Sequence, residues 1–290
     1  MKQVEIKGNS GCNIQLIDNY YILKSTNNPN YVNRLVSQGN KQINEYNRLI
    51  DNNNLNLMVP KIYNIVADTN YGSILMDYIN SDNFIDFFNN STYNDIDIFV
   101  DCILSYIDFE INNSTIQLVD KQIFIDKISG VENACKNNKL VFDYIIFKKI
   151  NNYINLLPND IEIPVGQCHG DLTLSNILFK DDKIYLIDFL DTFIESPIQD
   201  IVKLRQDTKY YWSLCFYNKK YNTTNILKYL NYIDNKVTNY IFSHNDIIYN
   251  TYDLFEFVNL FRLLPYSKTD NILQFVLSLI NKKFNEMKRE

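Results

Sequence analysis

Cys168-His169-Gly170-Asp171-Leu172-Thr173-Leu174-Ser175-Asn176-Ile177-Leu178 is followed, twelve residues after Asn176, by Asp188 within Tyr185-Leu186-Ile187-Asp188-Phe189. The pattern is His-Gly-Asp, four residues, Asn, a β-hairpin, then apolar-Asp-Phe. The hairpin strands are Ile177 to Lys180 and Ile184 to Asp188, turned by Asp181-Asp182. A tight loop brings Asp171 and Asn176 to one cavity, and the hairpin returns Asp188 to it. Phosphoryl transfer calls for such a set. Asp171 would sit beside an attacking hydroxyl. Asn176 and Asp188 would supply oxygens to Mg²⁺, which favours one or two carboxylates plus substrate phosphates.

On the N-terminal side the chain reads as strands. Gln3 to Lys7 and Cys12 to Ile17 alternate around the turn Gly8-Asn9-Ser10-Gly11, and Asp18-Asn19 leads into Tyr20 to Lys24. From Tyr31 to Asp51 the apolar residues Val32, Leu35, Val36, Ile43, Tyr46, Leu49 and Ile50 take helical spacing, which Gly39-Asn40 is expected to break. Lys61 to Ala67 and Tyr71 to Tyr78 read as two more strands. The first 79 residues are thus β-β-β-α-β-β. Beyond Asn80 the spacing predicts helices over 95–112, 120–136 and 139–156. They resume from Pro197, with amphipathic helices over 252–264 and 271–287.

Composition narrows the function classes. The 290 residues are 46% hydrophobic and include 22 Tyr and 18 Phe, which is incompatible with a disordered chain. A net charge of -6 argues against nucleic acid as the main partner and tolerates a cationic substrate. The five cysteines form no CxxC pair, so they read as reduced thiols and not as a zinc site. The N-terminus lacks a signal-peptide run, and no apolar stretch approaches the ~20 residues of a membrane span. A cytoplasmic protein with no membrane association is expected.

The segment Cys168 to Phe189 resembles the catalytic and metal-binding loops of the aminoglycoside phosphotransferase/choline kinase superfamily. That family has His-Gly-Asp where protein kinases have His-Arg-Asp. The resemblance implies an α+β, bilobal, protein-kinase-like fold. Residues 1–79 would be a nucleotide-binding lobe, a small antiparallel sheet with one main helix. Residues 80–290 would be a larger, mostly helical catalytic and acceptor-binding lobe. It implies ATP, with GTP as an alternative, and Mg²⁺ held by Asn176 and Asp188. Asp171 would be the catalytic carboxylate and His169 a structural residue of the loop. Gly8, Ser10 and Gly11 would lie over the phosphates, and Lys24 would pair with Glu45. In Ser73-Ile74-Leu75-Met76-Asp77-Tyr78-Ile79, Met76 would sit near the adenine, with backbone groups of Asp77 and Ile79 bonding it. Asp200 would brace the catalytic loop. Leu190 replaces the Gly of protein kinases and no long activation segment follows, so a protein substrate is not expected. Asp191 is either a group behind the metal site or a solvated loop residue.

The acceptor would be the hydroxyl of a small polar metabolite, a sugar or an amino alcohol such as choline. Arg205, Asp207, Tyr210, Tyr211 and Trp212, with Asp253 and Glu256 further on, are its candidate contacts. Such aromatics can face an ammonium group, stack on a sugar ring or pack the core. The segment from Asp200 to Trp212 also resembles kinases encoded with bacterial surface-polysaccharide genes. Two rivals are a pseudokinase that binds nucleotide or a partner without transfer, and a scaffolding protein. The intact set Lys24, Asp171, Asn176 and Asp188 argues against the first, and the polar loop Cys168 to Asn176 would have no purpose in the second.

Overall fold

The computed structural model of the chain describes residues 4–7, 12–51, 56–217, 220–243 and 246–286. The alternating N-terminal segments become β1 (Val4–Lys7), β2 (Asn13–Ile17) and β3 (Tyr21–Thr26). Helix α1 (Pro29–Asp51) follows, then β4 (Leu57–Met58), β5 (Ile62–Ala67) and β6 (Gly72–Asp77). An antiparallel sheet runs in the order β1-β2-β3-β6-β5. Asp18 and Asn19 make the β2–β3 turn at positive φ, which their short polar side chains tolerate.

Helix α1 is continuous, contrary to the break expected at Gly39-Asn40. Gly39 serves packing instead. A Cβ there would lie 2.7 Å from Ile65 Cδ1 and 2.9 Å from Ile74 Cδ1, so its absence lets α1 settle onto the sheet. Leu35 of α1 packs with Cys12 and Ile74, flanked by Tyr31, Ile62 and Ile65.

The remaining elements are α2 (Phe84–Asn90), α3 (Tyr93–Asn112), β7 (Thr115–Asp120), α4 (Gln122–Asn137), α5 (Ile145–Leu156), β8 (Asp160–Val165), β9 (Ile177–Lys180), β10 (Lys183–Leu186), α6 (Pro197–Thr208), α7 (Thr223–Ser243), α8 (Asp246–Leu263) and α9 (Asp270–Glu286). The helix expected over 139–156 starts only at Ile145. Asn138 caps α4 and Lys139 turns left-handed at φ 55°, which ends one helix before the next begins.

The chain divides into two compact units. The first comprises 1–109, 169–192 and 204–237; the second comprises 110–168, 193–203 and 238–290. The boundary at 79/80, read from the resemblance, falls inside the first unit.

Within the first unit, a small second sheet is ordered β4-β10-β9. β10 pairs parallel with β4 (Ile184 with Leu57) and antiparallel with β9. Phe179 of β9 stacks on Phe87 of α2 with centroids 3.8 Å apart. Asn83 caps α2 by accepting from the Ile85 and Asp86 amides. This packing holds the β9–β10 hairpin, which leads directly into Ile187 and Asp188.

Within the second unit, β7 and β8 form a two-stranded antiparallel ribbon that the sequence reading missed. The stretch over 252–264 is not simply amphipathic. Residues 254–261 of α8 are all buried, because this helix is the unit's centre. Helix α9 keeps one buried face, Leu273, Val276, Ile280 and Lys283. Lys283 donates to Asp253 at 2.6 Å and Glu256 at 2.7 Å. Burial pulls the Lys283 pKa down, and the two carboxylates more than restore it. Those acids are therefore internal counter-ions of Lys283, which burial would otherwise make costly. Among the described residues, no helix is long and apolar enough to cross a membrane.

Candidate active site

The loop from His169 to Asn176 is held by its own bonds, by residues 187–190 and by Asp207. Gly170 adopts φ +86°, and a Cβ there would meet the Leu190 carbonyl oxygen at 2.1 Å. This explains glycine in the middle of His-Gly-Asp: the backbone of 188–190 runs directly against it. His169 is fully buried. Its Nε2 lies 2.9 Å from the Ile187 carbonyl oxygen, and its Nδ1 accepts from the Asp171 amide at 3.2 Å. Nε2 therefore carries the proton. Burial lowers the imidazole pKa to about 4, so the ring stays neutral and acts as a structural bridge.

Asn176 orients Asp171. Its Nδ2 donates to the Asp171 carbonyl at 2.8 Å and to Asp171 Oδ2 at 3.0 Å. The 3-10 turn Leu174–Asn176 supplies the geometry, and the Asn176 carbonyl accepts from the Ile187 amide at 3.0 Å. One residue thus ties the catalytic loop to the hairpin's far end. With Nδ2 committed twice, Oδ1 is the atom that Asn176 can present to a cation.

Asp188 follows at φ 60°, a left-handed conformation that aims its carboxylate off the strand. Asp188 Oδ1 accepts from Lys24 Nζ at 3.0 Å. Lys24 is 4% exposed. Its burial lowers the pKa, but Asp188 outweighs that and leaves it raised, so the lysine is charged at neutral pH.

The expected Lys24–Glu45 pair is not the one formed. Glu45 is wholly buried and takes Arg48 at 2.7 Å, and Arg48 also lies 4.7 Å over the Phe109 ring. Two other residues of α1 reach the metal segment. Lys41 Nζ donates to the Leu190 carbonyl at 2.6 Å, and Ser37 Oγ to Asp191 Oδ1 at 2.9 Å. Asp191 is exposed and is tied to α1 through Ser37. Sequence reasoning passed over Lys41. The signal was a lysine one turn before Glu45 on a buried face.

Met76 and Asp77 end β6. Met76 Sδ accepts from Gln42 Nε2 at 3.6 Å. The Asp77 amide donates to the Lys61 carbonyl, and its carboxylate accepts from the Lys61 amide and the Tyr63 hydroxyl. The Ile79 carbonyl accepts from Ser81 Oγ at 3.3 Å. Gly8, Ser10 and Gly11 lie outside the described residues.

The candidate acceptor residues have internal partners. Arg205 makes a two-pronged pair with Asp234, at 2.9 and 3.1 Å. Asp207 is 2% exposed and accepts from the Leu174 amide at 2.7 Å and from the Ser213 amide and hydroxyl at 2.9 Å. It braces the turn carrying Asn176. Burial raises its pKa to about 6. Trp212 is 8% exposed and meets Phe216 edge-on at 4.9 Å, so it packs the core. Tyr211, at φ 57°, donates from its hydroxyl to Asn231 at 2.7 Å and is partly exposed. Asp200 is fully buried in the first turn of α6.

Among the described residues, no three His, Cys, Asp or Glu side chains cluster as a metal site. An amide oxygen from Asn176 and a carboxylate from Asp188 are nevertheless hard donors that fit Mg²⁺, with the remaining positions left to phosphate oxygens and water. Both belong to the first unit, as do Asp171 and Lys24.

The family model described as the phosphotransferase enzyme family matches residues 132–215, which include Asp171, Asn176 and Asp188. No curated protein matches the chain in sequence. Solved structures match over nearly its full length. A putative fructosamine-3-kinase from Haemophilus somnus 129PT is 16% identical, covers 98% of this chain and 91% of its own, and has a TM-score of 0.57. The APH(2'')-IIIa complex with GDP and kanamycin is 12% identical, covers 99% and 94%, and has a TM-score of 0.59. The aminoglycoside phosphotransferase APH(2'')-Ib, bound to ADP, is 14% identical, covers 97% and 92%, and has a TM-score of 0.53. The family model thus covers the segment that carries Asp171, Asn176 and Asp188, and the solved phosphotransferase structures share this chain's fold over nearly its whole length.

Proposed function

We propose that the protein transfers the γ-phosphate of a nucleoside triphosphate, with Mg²⁺, to a hydroxyl of a small polar metabolite such as a sugar or an amino alcohol. The observation that carries this reading is the joint geometry of Asn176. It orients Asp171 through Nδ2 and is bonded through its backbone to the strand end beside Asp188. The base and the metal ligands thus belong to one rigid piece, as in-line transfer requires.

Asp171 accepts the proton of the acceptor hydroxyl as its oxygen bonds to the γ-phosphorus, and the bond to the bridging oxygen breaks to release the diphosphate. Lys24, charged and buried beside Asp188, meets the nucleotide phosphates. Mg²⁺, when bound, supplies charge neutralisation at those phosphates. The related solved structures hold ATP, ADP or GDP, and several hold aminoglycosides, which supports a nucleotide and a polyhydroxylated acceptor. A role in surface-polysaccharide metabolism rests on the resemblance of the Asp200–Trp212 segment.

The test is nucleotide turnover by the purified full chain with Mg²⁺, using ATP and GTP, across sugars, amino alcohols and aminoglycosides, beside Asp171→Asn. Acceptor-dependent diphosphate release that falls about a thousandfold in the variant is expected. Nucleotide binding without turnover on any acceptor would favour a binding module. Absence of nucleotide binding would refute the reading.

A further inference from the structure

We propose that Lys41 is a positioning residue. It clamps helix α1 to the turn that follows Asp188 and so sets the metal ligand's geometry, in place of an ion pair between Lys24 and the helix. The inference rests on the phosphotransferase reading above.

Lys41 is 9% exposed, and a lysine ammonium is rarely buried without strong acceptors. Its Nζ donates to the Leu190 carbonyl at 2.6 Å, a charge-assisted bond. The same residue's N–H donates to the His169 carbonyl at 3.0 Å. Leu190 is therefore gripped on both sides, by the catalytic loop through its N–H and by α1 through its carbonyl. That carbonyl oxygen rests where a Cβ of Gly170 would stand, next to Asp171. One helical turn earlier, Ser37 ties Asp191 at 2.9 Å. Two side chains on one face of α1 thus fix residues 190 and 191. Asp188, held at φ 60° just before them, depends on that turn for the direction of its carboxylate.

Lys24 approaches Asp188 directly from β3, while Lys41 acts two residues on, through the backbone. The division separates their effects. Lys24 would govern phosphate contact. Lys41 would govern how well Asp188 is aimed at Mg²⁺, and so the part of nucleotide affinity that Mg²⁺ contributes.

The experiment measures ADP affinity calorimetrically for the full chain, once with excess MgCl₂ and once with EDTA. The variants are Lys41→Met, Lys41→Arg and Ser37→Ala. Lys41→Met is expected to weaken binding about tenfold with Mg²⁺, the scale seen when a group supporting a metal ligand is removed, and to leave the EDTA value within about twofold. Lys41→Arg should recover most of the loss, because it restores a charged donor. Ser37→Ala, a surface change that spares the fold, should give a smaller loss of about threefold with Mg²⁺ only. Should the Met variant fail to fold, the Ser37 variant decides. Equal losses with and without Mg²⁺, or none, would overturn the role of Lys41 while wild-type ADP binding still supports the kinase reading. Wild type that binds no ADP in either condition would overturn both.

Discussion

Lys24 Nζ lies 3.0 Å from Asp188 Oδ1, so the buried cation of β3 rests on the carboxylate proposed above as a metal ligand. Lys24 is nearly sealed, whereas the Asp188 side chain is 37% exposed. Lys24→Met replaces a buried charge by a similar apolar volume and leaves Asp188 with access to water. Stability should change by less than about 1 kcal/mol, while acceptor-dependent turnover should fall about a hundredfold. Urea unfolding and steady-state kinetics on one preparation test both halves. A variant that is as active as wild type would remove Lys24 from the site.

Gly170→Ala should be strongly destabilising. The residue sits at φ +86°, and its new methyl would meet a backbone oxygen at 2.1 Å, which cannot swing aside as a side-chain tip can. A loss of at least about 2 kcal/mol is expected, together with loss of turnover. Gly39→Ala makes the contrast. Its obstacles are two isoleucine Cδ1 atoms, so alanine should fall within about 1 kcal/mol of wild type, while Gly39→Val should cost about 2 kcal/mol. Denaturant midpoints of the three variants check the order.

Acid titration should expose a cancellation. The pKa of His169 drops from 6.5 to about 4 on folding, through burial. The folded state then binds fewer protons than the unfolded, so this contribution is full above pH 6.5 and is lost as the pH falls toward 4. Asp207 runs the other way. Its pKa rises from 3.8 to about 6, so its contribution grows as the pH falls through 6. Each is worth roughly 3 kcal/mol, and between pH 6 and 4 they largely offset. Asp207→Asn lowers stability overall, since one backbone N–H loses its acceptor. It also removes the offset, so this variant should lose about 3 kcal/mol more than wild type between pH 6.5 and 4. Parallel pH profiles for the two proteins would contradict this.

Arg205→Met separates structure from recognition. The Arg205–Asp234 pair is buried on the arginine side, so losing it should cost about 3 kcal/mol. Because the guanidinium is already engaged by Asp234, the acceptor KM should stay within about twofold of wild type. A KM rise of tenfold or more with unchanged stability would return Arg205 to the acceptor site.

The arrangement of the segment from His169 to Asp188 was legible in the sequence because it is local: a turn and a hairpin lie within twenty residues, and direct bonds tie Asp171, Asn176 and the residue before Asp188. The five main strands were legible for the same reason, since alternation and turn residues are neighbours in the chain. Long-range partnerships were not. The resemblance paired Glu45 with Lys24, but Arg48, one turn on, takes it. Asp207 read as a candidate acceptor contact, because nothing local tells that Leu174 and Ser213 sit against it. β7 was missed because its side chains are mostly exposed, so it carries no clear pattern of burial. Gly39 read as a helix breaker when its purpose was to let isoleucines approach.

The parallel pairing of Leu57 with Ile184 bears on the order in which the protein is made. On the ribosome, β2, β3, α1, β5 and β6 emerge and can assemble long before the hairpin that carries Asp188 exists. During that interval Lys24 and Lys41 belong to a platform without the groups they will hold. The stretch 110–168 belongs to the other unit and is made before 169–192 and 204–237 add to the first. A nascent chain stopped short of residue 188 would thus carry the sheet and α1 without the carboxylate on which Lys24 rests, and the first unit is complete only once 204–237, with Asp207, has followed.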